Sequence, residues 1–186
     1  MSKPILDKGV EEKSSRLRGK RIAIGASGGI GAVGLVKIFR ELRRHGAKLC
    51  PFATPSVFKF ITPLSLSWAA DHEVVCQPDE SVEHFDAFDL VVVAPATLNT
   101  LSKCATGITD NAVTLLVAAA IGGGIPVVAV PTMNVRLLRH PSYANSRKTL
   151  ESWGVEFFEA ETEEDRLKMP APEALVSFLI NKLSAK

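Results

Sequence analysis

Two unbroken apolar runs dominate the hydropathy pattern of the chain, Leu90 to Ala94 and Val127 to Val130. Neither alternates with polar residues, so each predicts a strand covered on both faces, the environment of a parallel sheet between layers of helix. Shorter β-rich runs at 20–26 ("KRIAIGA"), 47–54 ("AKLCPFAT") and 71–75 ("DHEVV") predict three further strands. Between them the period lengthens. Residues 31–46 form an amphipathic helical pattern that Gly46 stops, and 98–107, 111–121, 145–154 and 171–185 predict more helices. Strand and helix alternating along one chain define an α/β fold, a doubly wound parallel sheet in a Rossmann- or flavodoxin-like three-layer sandwich.

Composition narrows this to a single domain. A chain of 186 residues, 46% hydrophobic and 23% charged, buries one sizeable core; the pattern assigns it to residues 20–186, behind a polar tail at 1–19. The net charge of +2 conceals a skew, since residues 1–21 carry seven Lys or Arg against three acids. The basic excess therefore sits in the tail and not on a clustered face, which argues against a nucleic-acid partner. The tail has no apolar core of a secretory signal, and Cys50, Cys76 and Cys104 are too few and too far apart for a disulfide framework or a metal site. The expected compartment is the cytoplasm. Residues 111–135 are uncharged and long enough to cross a bilayer, but "GGGIP" at 122–126 divides them into a helix and a strand, so no membrane partner is expected.

Ligands of such sheets bind beyond the carboxyl ends of the strands. Four loops fall there: "GASGGIG" (25–31), "ATPS" (53–56), "APATLNT" (94–100) and "PTMN" (131–134), all rich in small, hydroxyl and amide groups and poor in carboxylates. "GIGAVG" (29–34) matches the dinucleotide fingerprint, yet the second strand ends "FATPS", with no acid for a ribose and no Arg for a 2′-phosphate. A short-chain dehydrogenase needs a Tyr with Lys four residues on; the only tyrosine, Tyr143, has Arg147 there. What remains is a cradle for a terminal phosphate, with backbone N–H groups at a helix start and the hydroxyls of Ser27, Thr54 and Ser56 converging on it. That favours a mononucleotide, FMN above all, and makes Gly25, Ala26, Ser27, Gly28, Gly29, Thr54 and Ser56 candidate contacts. The competing reading is that these are only turn residues. Thr97, Asn99 and Thr100 also lie where a ligand would sit.

Taken in order, the loops resemble the family of homo-oligomeric, FMN-containing cysteine decarboxylases, over residues 20 to about 183. "PATLNT" (95–100) is similar to that family's PASANT motif and "GITDN" (107–111) to the segment after it; "PTMNVRLLRHP" (131–141) resembles its PxMNxxMW substrate segment, and "FITPLSL" (60–66) its segment after strand two. The resemblance adds Pro95, Ala96, Thr97, Asn99, Thr100 and Asp110 to the expected flavin contacts. It makes His84 the catalytic histidine and Asn134 the amide that grips the substrate. It implies a small-molecule or peptide substrate with a cysteine, whose side chain the flavin oxidises to a thioaldehyde that loses CO₂ to give an enethiol. An imidazole with an unperturbed pKa near 6.5 is suited to hold the proton involved. For His84 the alternative is a solvated loop histidine in "DESVEHFD", and for Asn134 a turn amide bonded to its own loop. His140 is a remoter substrate-contact candidate.

The chain also departs from the family. Leu137 and Leu138 replace the Met-Trp pair, and residues 154–172 lack the lid cysteine of pantothenate-type enzymes, while Lys168, Met169 and Pro170 resemble the lid of peptidyl-cysteine decarboxylases. Those departures keep open an FMN oxidoreductase that passes electrons to a pterin, a flavin or another acceptor, and a noncatalytic regulatory subunit. A homotrimer or homododecamer is the assembly that the resemblance implies.

Overall fold

The computed structural model describes residues 9–77, 88–160 and 162–184. Its strands are β1 (Arg21–Ala26), β2 (Lys48–Ala53), β3 (Leu90–Ala96), β4 (Val127–Pro131), β5 (Met133–Asn134), β6 (Glu156–Phe157), β7 (Thr162–Glu163) and β8 (Arg166–Leu167). Its helices are α1 (Leu35–Arg44), α2 (Pro63–Ala70), α3 (Leu98–Ala105), α4 (Ala112–Gly122), α5 (Val135–Leu138), α6 (Pro141–Ser152) and α7 (Pro172–Ser184). Five strands form a parallel sheet in the order β2-β1-β3-β4-β6. The remaining three form a small antiparallel sheet, β5-β8-β7.

Alternation along the central strands explains why their sequences do not alternate. Ile22, Ile24, Leu90, Val92, Val128 and Val130 point into one core with Leu35, Phe39 and Leu42 of α1, Leu66 of α2 and Leu175 and Leu179 of α7. Ala23, Val91, Val93, Val127 and Ala129 point into the other, with Val113, Leu116 and Val117 of α4 and Leu150 of α6. Both faces are apolar because both are covered.

Several elements differ from the sequence expectation. The helix expected from residue 31 begins as a 3-10 turn, Ile30–Gly34, and becomes α-helical only at Leu35. "DHEVV" forms no strand; only Val75 bridges Phe52, in parallel. α2 has a clear local cause that hydropathy does not register: the Thr62 hydroxyl accepts from Ser65 N at 3.1 Å and Pro63 occupies the first helical position. α6 starts at Pro141 rather than 145. The uncharged stretch 111–135 divides as expected into α4, capped by Asn111, and β4, and among the described residues no helix is long and apolar enough to cross a membrane.

The basic N-terminal segment is packed from Lys13 onward. Lys13 N and Ser14 N donate to Arg44 O and Leu17 N to His45 O, occupying carbonyls at the end of α1, and Leu17 is fully buried.

Candidate functional site

At the carboxyl ends of β1, β2, β3 and β4 the four expected loops meet and are laced together by hydrogen bonds. Ser27 Oγ donates to Pro95 O (2.6 Å) and accepts from Thr97 N (3.0 Å); Thr54 N donates to Ala26 O (3.0 Å) and Thr132 N to Ala96 O (3.1 Å). The buried Ser27 hydroxyl is thus committed to joining the first loop to the third. Gly25, Ala26, Pro95 and Ala96 are likewise buried in or behind the sheet, and none of these five residues lines either cavity described next. The Ala94–Pro95 peptide is cis, and the β3–β4 register shifts between Val93 and Ala96.

Two cavities open on this rim and share a wall made by Gly28, Thr97 and Leu137. The larger, about 930 Å³, is the richer in polar side chains: Thr54, Ser56, Asn99, Thr100, Ser102, Lys103, Asp110 and Asn111 line it. Thr54 Oγ1 and Ser56 Oγ lie 3.0 Å apart, and a Cβ on Gly28 would come within 2.2 Å of Ser56 Oγ, so only glycine admits this approach. The Thr97 hydroxyl caps α3, whose amino terminus borders the cavity. Hydrogen bonds from Lys103 and then Asn111 hold the Asp110 carboxyl below its ordinary range, so it is ionised and paired.

The smaller cavity, about 530 Å³, lies between the glycine loop and the small sheet. Gly29, Ile30 and Gly31 line one side; Thr132, Met133, Asn134, Arg166, Leu167, Lys168 and Met169 line the other. Asn134 Oδ1 caps α5 by accepting from Leu137 N (3.0 Å), while its Nδ2 donates to no partner among the described residues. The turn-amide role and a ligand-facing role therefore use different atoms of one side chain. β5 and β8 pair antiparallel with Asn134 opposite Arg166.

The rim therefore brings together Gly28, Gly29, Thr54, Ser56, Thr97, Asn99, Thr100, Asp110 and Asn134. His84 lies outside the described residues. His140 caps α6 by accepting from Ser142 N and lines neither cavity. Burial pushes the Cys50 thiol up to about 11 and that of Cys104 up to about 12; both are protonated, and neither lines these two cavities. Among the described residues no group of His, Cys, Asp and Glu is arranged to hold a metal ion. The sequence reading missed Arg166 and Thr132, and the signal for Arg166 was faint: a two-residue strand, turn and two-residue strand in "TEEDRL".

The order β2-β1-β3-β4-β6, with its ligand crevice at the β1/β3 switch point, is that of the flavodoxin-like α/β class. The chain belongs to the Flavoprotein family, which it matches over residues 10–184. It is 36% identical over 181 residues to the coenzyme A biosynthesis bifunctional protein CoaBC of Thermococcus kodakarensis, covering 94% of this chain and 45% of that protein. To CoaBC of Bacillus subtilis it is 32% identical over 151 residues, covering 77% and 36%. The chain thus spans less than half the length of these curated relatives. Among solved structures it resembles the FMN-dependent cysteine decarboxylase TvaF from thioviridamide biosynthesis (TM-score 0.73, 28% identity, 90% of this chain and 99% of that one). A PPC decarboxylase variant complexed with pantothenoylaminoethenethiol shares the fold (TM-score 0.80, 22% identity, 90% and 100%).

Proposed function

We propose that the protein is an FMN-dependent oxidative decarboxylase of a cysteine-containing substrate, with FMN in the larger cavity and the substrate in the smaller. The observation that carries this reading is the shared wall: a cavity rich in hydroxyl and amide groups and a largely apolar one meet at Gly28, Thr97 and Leu137. That arrangement brings a ring held on one side against a side chain held on the other. The larger cavity fits FMN on the chemistry of its donors. Glycine at 28 leaves the loop backbone bare, the paired hydroxyls of Thr54 and Ser56 face it, and the amino terminus of α3 favours an anion. Membership of the Flavoprotein family and the likeness to the solved FMN-dependent cysteine decarboxylase TvaF support FMN as the cofactor.

FMN, when bound, supplies the two-electron acceptor for the cysteine side chain. The chain's own groups do the rest. Asn134 Nδ2 donates to the substrate carboxylate without adding charge, and Ile30, Met133, Leu137 and Met169 offer apolar surface for the rest of the substrate to pack on. His84 is assigned the proton-holding role by resemblance. Residues 20–186 form the flavin-binding unit, and a trimer or dodecamer is its proposed assembly.

The test is reconstitution of the purified protein with FMN, read by flavin absorption and by the mass of the released cofactor. Ser56→Ala should weaken FMN binding about ten-fold. His84→Asn should retain FMN yet release no CO₂ from cysteinyl peptides. An apo protein that takes up no FMN, or takes up an adenine dinucleotide instead, would overturn the reading. Flavin reduction by NAD(P)H without CO₂ release from any cysteinyl compound would move the protein to the oxidoreductase class.

A further inference from the structure

The smaller cavity carries a cation that the proposed chemistry does not use. Two charged side chains line it, Arg166 and Lys168, and no carboxylate does. Lys168 is already neutralised, by Glu163 at 2.7 Å and Glu164 at 3.0 Å, two acids that stand largely in solvent. Arg166 is exposed and makes no close ion pair among the described residues, though it lies near enough to Glu164 to help Lys168 hold that carboxylate ionised. Its neighbours across the small sheet are Asn134 on one side and Glu163, engaged with Lys168, on the other.

Resting on the decarboxylase reading, we propose that Arg166 is a specificity residue that recognises a second acidic group of the substrate, remote from the carboxylate that departs as CO₂. Charge decides the division of labour. A guanidinium paired with the departing carboxylate would stabilise it most before the carbon–carbon bond breaks, since the negative charge leaves those oxygens in the transition state, and would slow the reaction. A neutral amide grips the same group with a smaller penalty, and Asn134 offers one. Backbone neighbours across an antiparallel pair stand about 5 Å apart, and the longer arginine side chain carries its head beyond the asparagine amide. The second group is therefore a phosphate monoester or a carboxylate, the two anions that match a guanidinium fork.

The test is binding, independent of turnover. Three S-methylcysteine conjugates, with the thiol blocked against oxidation, end in a phosphate monoester, a carboxylate or a hydroxyl, and are titrated calorimetrically into the protein as purified. The wild type should bind at least one acidic probe on the order of ten- to a hundred-fold tighter than the hydroxyl probe. Arg166→Gln should abolish that preference and leave the hydroxyl probe unchanged, and Arg166→Lys should restore part of it. Whichever acidic probe shows the larger loss identifies the group. Equal weakening of all three probes, or a wild type that binds them without preference, overturns the role of Arg166. A wild type that binds none of them overturns the cysteinyl-substrate reading itself, and this proposal with it.

Discussion

Gly25 and Ser27 show how residues of one motif serve different ends. From sequence both belong to a phosphate cradle, yet a Cβ on Gly25 would lie 2.8 Å from Val113 Cγ1, so this glycine lets α4 approach β1. Gly25→Ala should therefore cost about 1–3 kcal/mol, the usual penalty for overpacking against a stiff β-branched side chain. Combined with Val113→Ala, which alone leaves a void, it should cost less than the two separate losses added, because the new methyl occupies the vacated space. Urea denaturation of the two single variants and the double variant measures that coupling, and strict additivity would refute the packing role. The motif marked a loop that lines both cavities without showing which of its glycines faces them. The packing partner lies in a distant helix, and contacts of that kind leave no local trace in sequence. Ser27 teaches the same lesson, since the hydroxyl expected to meet a phosphate is committed to Pro95 O and Thr97 N.

Elements with several periods of pattern were legible. The unbroken runs of β3 and β4, the amphipathic α1 and the closing α7 all appear close to their expected bounds. The small sheet was not, because strands of two residues have no period to read, and "DHEVV" misled because β-branched residues alone do not create a pairing edge. Yet the small sheet carries Asn134 and Arg166, so the poorly legible element is the one that walls the smaller cavity. Its hairpin turns through Glu164 (φ 51°) and Asp165 (φ 56°), both left-handed and neither glycine. Two-residue turns of this hand prefer Asn-Gly, and each non-glycine left-handed residue costs about 1–2 kcal/mol. Replacing both, Glu164→Asn with Asp165→Gly, should stabilise the hairpin despite losing the exposed Glu164–Lys168 pair. Slower hydrogen exchange at the Val135 amide, which donates to Asp165 O, would report it; faster exchange would mean that the ion pair outweighs the backbone strain.

Across the whole molecule, the end opposite the cavities is closed by charge. Glu41 of α1 is almost fully buried, yet it accepts from Lys13 (2.7 Å) in the N-terminal segment and Arg44 (2.9 Å) on its own helix, with His45 Nε2 at 3.5 Å. Burial pushes its carboxyl up, but the hydrogen bonds from Lys13 and Arg44 outweigh burial and hold it below the ordinary 4.5. A carboxyl whose folded pKa is depressed stabilises the fold fully above its unfolded value, and that contribution is lost as pH falls through the folded one. Glu41→Gln should thus be clearly less stable than the wild type at neutral pH, where it leaves Lys13 and Arg44 facing an uncharged amide. The gap should narrow progressively as pH drops below 4.5. Asp89 is also held low, burial being outweighed by Arg21 N and Lys20, but it is present in both proteins and cancels from their difference. Denaturation curves across that range isolate Glu41, and a pH-independent gap would assign the loss to packing instead. Because Lys13 and Leu17 belong to the segment docked on α1, the same titration reports whether the N-terminal strap and the sheet unfold as one cooperative unit.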